Sequence, residues 1–323
     1  MRTLIVLCAG SRKINECPLF LLKHPKDGKL IAEKVIEGIF PESYDRIIYT
    51  ILEEVDKEFD AEKIILNSVG LKYNVEVVKL TKKTSGPAET AYQTILQANV
   101  GGEICIRDSH SYINIKENVT GNFIAGLDLI KHQKTIENLS SKSFIILNEQ
   151  NQVLDVVEKK FRADVISGGL YGFKRVSDFV MAYNKLKDPN YCIQKLYVSH
   201  IISYLIGYSE RIFHAVDIIN FEDWSTVNSW ARVQKKYATY FLDIDAVKIE
   251  NDIDILEILK KASLNGEKFI GYTSDAGVNT DEVKKNMLNQ GINILQIVSG
   301  CSYSKVKSII NTKKQIEDIN LEV

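Results

Sequence analysis

Short apolar runs alternating with helix-length amphipathic segments constrain this chain more than any other feature. Leu4–Leu7 is a buried strand-like run, and a polar loop separates it from an amphipathic helix over about Leu30–Ile39. Arg46–Ile51 and Val75–Leu80 repeat the strand pattern with a helical segment between them. Ala88–Ala98 reads as a helix, and Glu103–Ile106 as a strand ending at Arg107-Asp108. Strands spaced by helices of this length form βαβ units and predict an α/β fold with a mostly parallel, Rossmann-like sheet. Ligands of such sheets collect beyond the carboxyl ends of the strands. The loops at that edge are Cys8–Pro18 and Arg107–Tyr112.

The pattern continues less regularly and then restarts. Phe144–Leu147, Val153–Val157 and Ser167–Phe173 read as strands, with helices near Asp178–Leu186 and Cys192–Leu205. Phe221–Thr226 opens a further helix that runs through Val233. After Gln234-Lys235-Lys236, strands at Thr239–Leu242, Lys268–Tyr272 and Ile292–Val298 alternate with helices at Ile253–Ala262, Asp281–Gln290 and Ser304–Ile310. A chain of 323 residues can bury two cores. The expectation is therefore two α/β domains, 1–236 and a smaller 237–323.

Charge and cysteine usage narrow the function classes. Lys+Arg 41 against Asp+Glu 42 leaves a net charge of −1 with the signs mixed, so a phosphate-rich polymer is not the expected partner. Cys8, Cys17, Cys105, Cys192 and Cys301 are scattered and form no CxxC pair, which fits reduced thiols. The opening residues lack the pattern of a secretory signal, and no apolar run approaches the roughly 20 residues of a membrane span. A cytoplasmic protein without nucleic-acid or membrane partners is expected, and a homo-oligomer is compatible with the sequence. The five histidines show no metal-ligand spacing.

Leu7-Cys8-Ala9-Gly10-Ser11-Arg12 sets small residues and an arginine directly after a buried strand. Backbone amides of such a turn can cradle phosphate oxygens, and the arginine adds charge-assisted donors, although a strand-to-loop turn also uses small residues for steric reasons. Four further segments follow: Lys83-Thr84-Ser85-Gly86-Pro87-Ala88-Glu89-Thr90 before a helix, Arg107-Asp108 at a strand end, Val157-Glu158-Lys159 after a strand, and Gly168-Gly169-Leu170-Tyr171-Gly172-Phe173. Glu222-Asp223-Trp224-Ser225-Thr226 ends the series.

Together these segments resemble the sugar-phosphate nucleotidyltransferase family, whose signature begins LxAGxGSR and ends near DWGTxxDW. The resemblance covers roughly residues 1–236. It implies a Mg²⁺-dependent enzyme joining a nucleoside triphosphate, CTP or UTP favoured, to a sugar-1-phosphate or related phosphorylated molecule, with a role in surface polysaccharide precursor synthesis. By that resemblance Asp108 and Asp223 hold the metal. Arg12, with Ala9, Gly10 and Ser11, holds the triphosphate. Ser85, Gly86 and Glu89 pack against the nucleobase, and Glu158 and Lys159 meet the sugar phosphate. Gly168 and Gly169 let sugar and backbone approach, and a β-bulge would need them equally. Asp223 would also serve as the N-cap of the helix that follows it. The chain departs from the pattern in a shorter opening loop, in Cys17-Pro18-Leu19-Phe20-Leu21 without the family's lysine (Lys23 being a candidate substitute), in Ser225 for glycine, and in His110 where some relatives carry an acid. These departures bear on substrate identity more than on fold.

Phe241-Leu242-Asp243-Ile244-Asp245-Ala246-Val247 resembles the nucleophile loop of the haloacid dehalogenase superfamily. The resemblance implies a phosphoryl-accepting Asp243, a proton-handling Asp245, a phosphate-binding hydroxyl at Thr273 and a lysine at Lys305 or Lys307. Ala246 stands in the glycine position and no acidic pair completes the metal site, which points to a reduced or inactive domain. Two alternatives accompany the transferase reading, a phosphatase acting through Asp243 and a non-catalytic nucleotide-binding protein. A GT-A glycosyltransferase is a further neighbour, disfavoured by the Gly10–Arg12 loop.

Overall fold

Strand β1 (Arg2–Leu7) is buried along its whole length, and its Leu4–Leu7 run is apolar, as a strand flanked on both sides by parallel strands requires. The computed structural model of the chain describes residues 1–10, 13–14, 16–132, 139–191, 195–237, 239–245, 253–264, 267–302 and 304. After β1 come a short hairpin, β2 (Lys13–Ile14) and β3 (Cys17–Pro18), then α1 (Ile31–Glu37), β4 (Arg46–Leu52), α2 (Glu53–Phe59), α3 (Ala61–Ser68) and β5 (Val75–Leu80). Next are α4 (Pro87–Gln97), β6 (Glu103–Asp108), β7 (Ser111–Ile115), β8 (Phe123–Asp128), β9 (Ser143–Leu147), β10 (Val153–Glu158) and β11 (Val165–Phe173). Helices α5 (Val176–Leu186) and α6 (Val198–Ser209), strand β12 (His214–Asp223) and helix α7 (Val227–Tyr237) follow.

These strands make one sheet in the order β5-β4-β1-β6-β11-β8-β12-β7, with β9 on β11 and β10 on β9. Strands β5, β4, β1 and β6 run parallel, the Rossmann-like half that the βαβ alternation demands. Beyond β6 the direction changes: β11 is antiparallel to both β6 and β8. Two compact units divide the chain, Met1–Trp230 and Ala231–Val323.

The second unit contains β13 (Thr239–Asp243), α8 (Ile253–Leu264), β14 (Lys268–Tyr272), α9 (Thr280–Asn289) and β15 (Ile294–Val298). Its three strands are parallel in the order β13-β14-β15. Leu259, Phe269, Met287, Ile292, Ile294 and Ile297 form its core. Among the described residues no helix is long and apolar enough to cross a membrane.

Three local readings of the sequence need correction. The helix expected over Cys192–Leu205 begins at Val198, because Leu196 is extended against the start of α4, where its carbonyl accepts the Ala88 N–H at 3.3 Å. Cys192 itself lies outside the described residues, as does all of the expected Ser304–Ile310 helix except Ser304. Phe221, Glu222 and Asp223 belong to a strand rather than to a helix start. Helix α7 is capped by Thr226, whose hydroxyl accepts the Ser229 N–H at 3.0 Å, and not by Asp223.

Candidate functional site

A cleft of about 610 Å³ opens at the carboxyl ends of β1 and β6, where the strand direction changes. That volume suits a small-molecule ligand. Leu7–Gly10 after β1 and Asp108–Ser111 between β6 and β7 form one wall. The Lys83–Pro87 loop before α4 forms another, and Glu158, Lys159 and Ser167–Gly169 complete the enclosure. Ala9, Gly10, Ser85, Gly86, Asp108, Glu158, Lys159, Gly168 and Gly169 are thus brought together. Ser11 and Arg12 lie outside the described residues. Glu89 and Asp223 are not among the lining residues, nor is Lys23, which bridges to Leu30.

Two glycines are fixed by close approach. Gly169 has φ +77°, a left-handed conformation, and a Cβ there would stand 2.7 Å from Asp108 Oδ2. It lies in the bulged part of β11, where the pairing with β8 shifts register between Ser167 and Tyr171. A Cβ on Gly86 would meet the Leu196 carbonyl oxygen at 2.5 Å. Beside it Pro87 opens α4, a position where its missing N–H is no loss. Glu89 braces the same turn by accepting the Ser85 N–H at 2.6 Å and the Ser85 hydroxyl. Burial would raise its carboxyl, but these bonds outweigh that effect and hold it below its ordinary value.

Arg107, fully buried under the cleft, ties these walls together. Its guanidinium donates to the carbonyls of Val35 at 3.0 Å, Gly168 at 2.9 Å, Gly169 at 3.1 Å and Ser111. Burial pushes its pKa down to about 10, still far above neutrality, so the group stays charged. Burial likewise pushes the Cys8 thiol up to about 12, which removes it as a nucleophile.

The charged groups fall into two sets. Asp223 ends β12 opposite Ser111 of β7, three residues after Asp108, and the Trp224 N–H donates to the His110 carbonyl at 2.9 Å, so the turn that follows Asp108 runs beside the end of β12. The Asp223 Oδ2 pairs with the Lys142 ammonium at 2.8 Å, and Oδ1 accepts the Ser225 N–H at 2.8 Å. Burial alone would raise this carboxyl; Lys142 and Ser225 override it and hold the value below the ordinary carboxylate range. Glu222, next door, accepts from Trp224 Nε1 at 2.8 Å and lies 2.7 Å from His24 Nε2. In the other set, Lys159 adopts a left-handed backbone, φ +56°, and its N–H donates to the Lys142 carbonyl at 3.0 Å. The Lys159 ammonium bonds the Tyr197 hydroxyl, and the Lys159 and Lys195 ammonium groups stand 4.4 and 5.2 Å from the Tyr197 ring centroid. Lys142, Lys195 and Tyr197 all line the cleft and were not singled out by the sequence. Only the cationic residue type hinted at the lysines, because 36 residues separate Lys159 from Lys195.

The chain is similar in fold to several solved structures. It superposes on a nucleoside-diphosphate-sugar pyrophosphorylase from Vibrio cholerae RC9 with a TM-score of 0.59 and 17% identity, over 73% of this chain and 100% of that chain. The inositol-1-phosphate CTP transferase of T. maritima gives a TM-score of 0.55 at 13% identity, over 73% of this chain and 96% of that one. A CTP:phosphocholine cytidylyltransferase from Streptococcus pneumoniae gives 0.54 at 16%, over 72% and 98%. This chain shares their fold. No protein-family model matches it, and no curated protein matches it in sequence.

The sequence resemblance implies a divalent cation. Carboxylates and hydroxyls are the right donors for a hard cation, and Asp108 is a lining residue of the cleft. Asp223 fits as the second only when Lys142 yields it. Among the described residues no group of three or more His, Cys, Asp or Glu side chains is arranged for a metal ion.

In the second unit Asp243, at the end of β13, accepts the Tyr272 hydroxyl at 3.1 Å. Asp245 accepts the Thr273 hydroxyl and the Ser274 N–H at 2.8 Å. These bonds hold the Asp245 carboxyl below its ordinary value. The structure thus brings Asp243, Asp245 and Thr273 together beyond the carboxyl ends of two parallel strands, while Ala246 and Lys305 lie outside the described residues.

Proposed function

We propose that the first unit transfers a nucleotidyl group from a nucleoside triphosphate to a phosphorylated sugar or polyol. The observation that carries this reading is the single cleft onto which Gly10, Gly86, Asp108, Lys159 and Gly169 all converge. An oxygen of the acceptor phosphate bonds to the α-phosphorus as the bond to the pyrophosphate oxygen breaks, and the electron pair leaves on pyrophosphate. Both reactants are anions, so catalysis is alignment plus charge neutralisation.

The Gly10 and Ser11 backbone with Arg12 grips the triphosphate, and Ser85 and Gly86 form the wall against the base. Lys159 and Lys195 together supply two positive charges for the acceptor phosphate, matching a phosphate dianion. Ser109, Ser141, Ser143 and Ser167 line the remaining surface, a polar wall that suits a polyol. Asp108 and Asp223 would hold Mg²⁺, which when bound neutralises phosphate charge and favours departure of pyrophosphate. A pyrimidine triphosphate, CTP or UTP, is favoured; two of the enzymes sharing the fold are named for CTP. The product is an activated precursor of the kind that serves surface polysaccharide synthesis. Pyrophosphate release, measured for ATP, CTP, GTP and UTP against sugar and polyol phosphates, tests the proposal. Release with one nucleotide, lost in Asp108→Asn and Asp223→Asn, supports it; no release from the folded protein across the panel rejects it.

The strand-end cluster of the second unit favours a haloacid-dehalogenase-like domain from about residue 237. Asp245 is already engaged by Thr273 and Ser274, which suits a structural or regulatory part better than a working phosphatase. Phosphate release abolished by Asp243→Asn and untouched by Asp108→Asn would reverse that reading.

A further inference from the structure

We propose that Lys142 is a further functional residue of the cleft, the exchangeable counter-ion of Asp223. It yields the carboxylate to an incoming divalent cation and turns its own ammonium to the substrate phosphates. The inference rests on the nucleotidyl-transfer reading and names the residue that keeps the site stable before its ligands arrive.

The Asp223 side chain is only 4% exposed and that of Lys142 10%. An ionised carboxylate at such depth carries a heavy desolvation penalty unless a cation neutralises it. Lys142 supplies that charge at 2.8 Å. The arrangement is asymmetric: Lys142 lines the cleft and Asp223 does not. A cation entering from the cleft therefore reaches Asp223 by taking the place of the ammonium. Asp108, at the end of β6 and three residues before the Ser111 that pairs with Asp223, lines the same cleft and is the other candidate carboxylate.

Release of the ammonium needs little else to move. The backbone of Lys142 is held by its carbonyl bond to the Lys159 N–H, while the four-carbon stem is flexible. The Phe221 ring also lines the cleft, with its centroid 5.9 Å from the Lys142 ammonium, and its face can receive a cation. Charge balances at each stage. In the free site the Lys142–Asp223 pair is neutral. Once another cation satisfies Asp223, the freed ammonium adds a positive charge beside Lys159 as the polyanionic substrates bind.

The test is Mn²⁺ binding to the full chain, read by electron paramagnetic resonance without substrates. Comparing wild type with Lys142→Met, Lys142→Arg and Asp223→Asn separates the roles. Removing the competitor is expected to tighten Mn²⁺ binding about tenfold or more in Lys142→Met. The planar fork of arginine can hold both carboxylate oxygens and is expected to weaken binding. Asp223→Asn should weaken it as well. Unchanged or weaker binding in a folded Lys142→Met protein overturns the proposal. If Lys142→Met does not fold, Lys142→Arg decides alone, and unchanged or tighter binding there overturns it. Because the readout needs no turnover, a wild type silent in pyrophosphate release would reject the transfer reading separately.

Discussion

A lysine in a left-handed backbone is uncommon, and the strain at Lys159 is held by its N–H bond to Lys142 and by its contact with Tyr197. The result is an ammonium aimed at one part of the cleft. Lys159→Met is expected to raise the acceptor KM by about tenfold or more while leaving the triphosphate KM unchanged, since only one charge-assisted contact is lost. Steady-state kinetics with each substrate varied in turn checks this; equal rises in both constants would place Lys159 elsewhere. Gly169 is the second sensitive position. Gly169→Ala forces a methyl group against Asp108 in a conformation that disfavours it, and should cost about 1–3 kcal/mol of stability. Displacement of Asp108 should lower kcat as much as about 100-fold. Paired measurements of urea stability and pyrophosphate release check both effects, and a fully active variant would show that Asp108 has no part in the chemistry.

Among elements, strands rich in β-branched and large apolar residues were legible, and those broken by polar or small residues were not. Strands β1 and β4 announce themselves through apolar runs because the middle of the parallel half of the sheet is covered on both faces. Strand β12 is half exposed and interrupted by Asp217, Asn220 and Glu222, so its sequence reads as the approach to a helix. Strand β8 is buried, but Ala125 and Gly126 weaken its strand signal. The cleft was legible where it follows strand ends, at Gly10 and Asp108. It was illegible at Lys142 and Lys195, because nothing local marks a lysine that long-range pairing delivers to a cavity. Arg107 shows the same limit, as a charged residue in a strand whose buried role depends on carbonyls from α1, β11 and the start of β7. Arg107→Met strips those carbonyls of donors and is expected to destabilise the first unit by about 3 kcal/mol or more. Both tryptophans, Trp224 and Trp230, belong to that unit, so fluorescence-detected urea unfolding reports on it selectively.

At the scale of the molecule, the same tryptophan signal can follow how one buried ion pair shapes stability across pH. Asp223 is held below the ordinary carboxylate range in the folded chain. On acidification the unfolded chain takes up its proton first, near the usual value of about 3.9, while the folded one resists to lower pH. The pair's contribution is therefore fully present above about pH 4 and is lost as pH falls through the folded value. Lys142→Met reverses the sign. With the ammonium gone, burial is the leading influence and drives the carboxyl upward, so the variant must hold an uncompensated charge at neutral pH. In the presence of a chelator, which keeps divalent ions from substituting for the lysine, the variant should be about 3–5 kcal/mol less stable than wild type at pH 7. The gap should begin to narrow above about pH 4, as the variant's raised carboxyl takes up its proton, and narrow further below it as protonation removes the wild type's advantage. Both side chains are nearly buried, so added salt should change the gap little. A gap constant with pH, or one that closes with salt, would mean that Asp223 and Lys142 are not paired in solution.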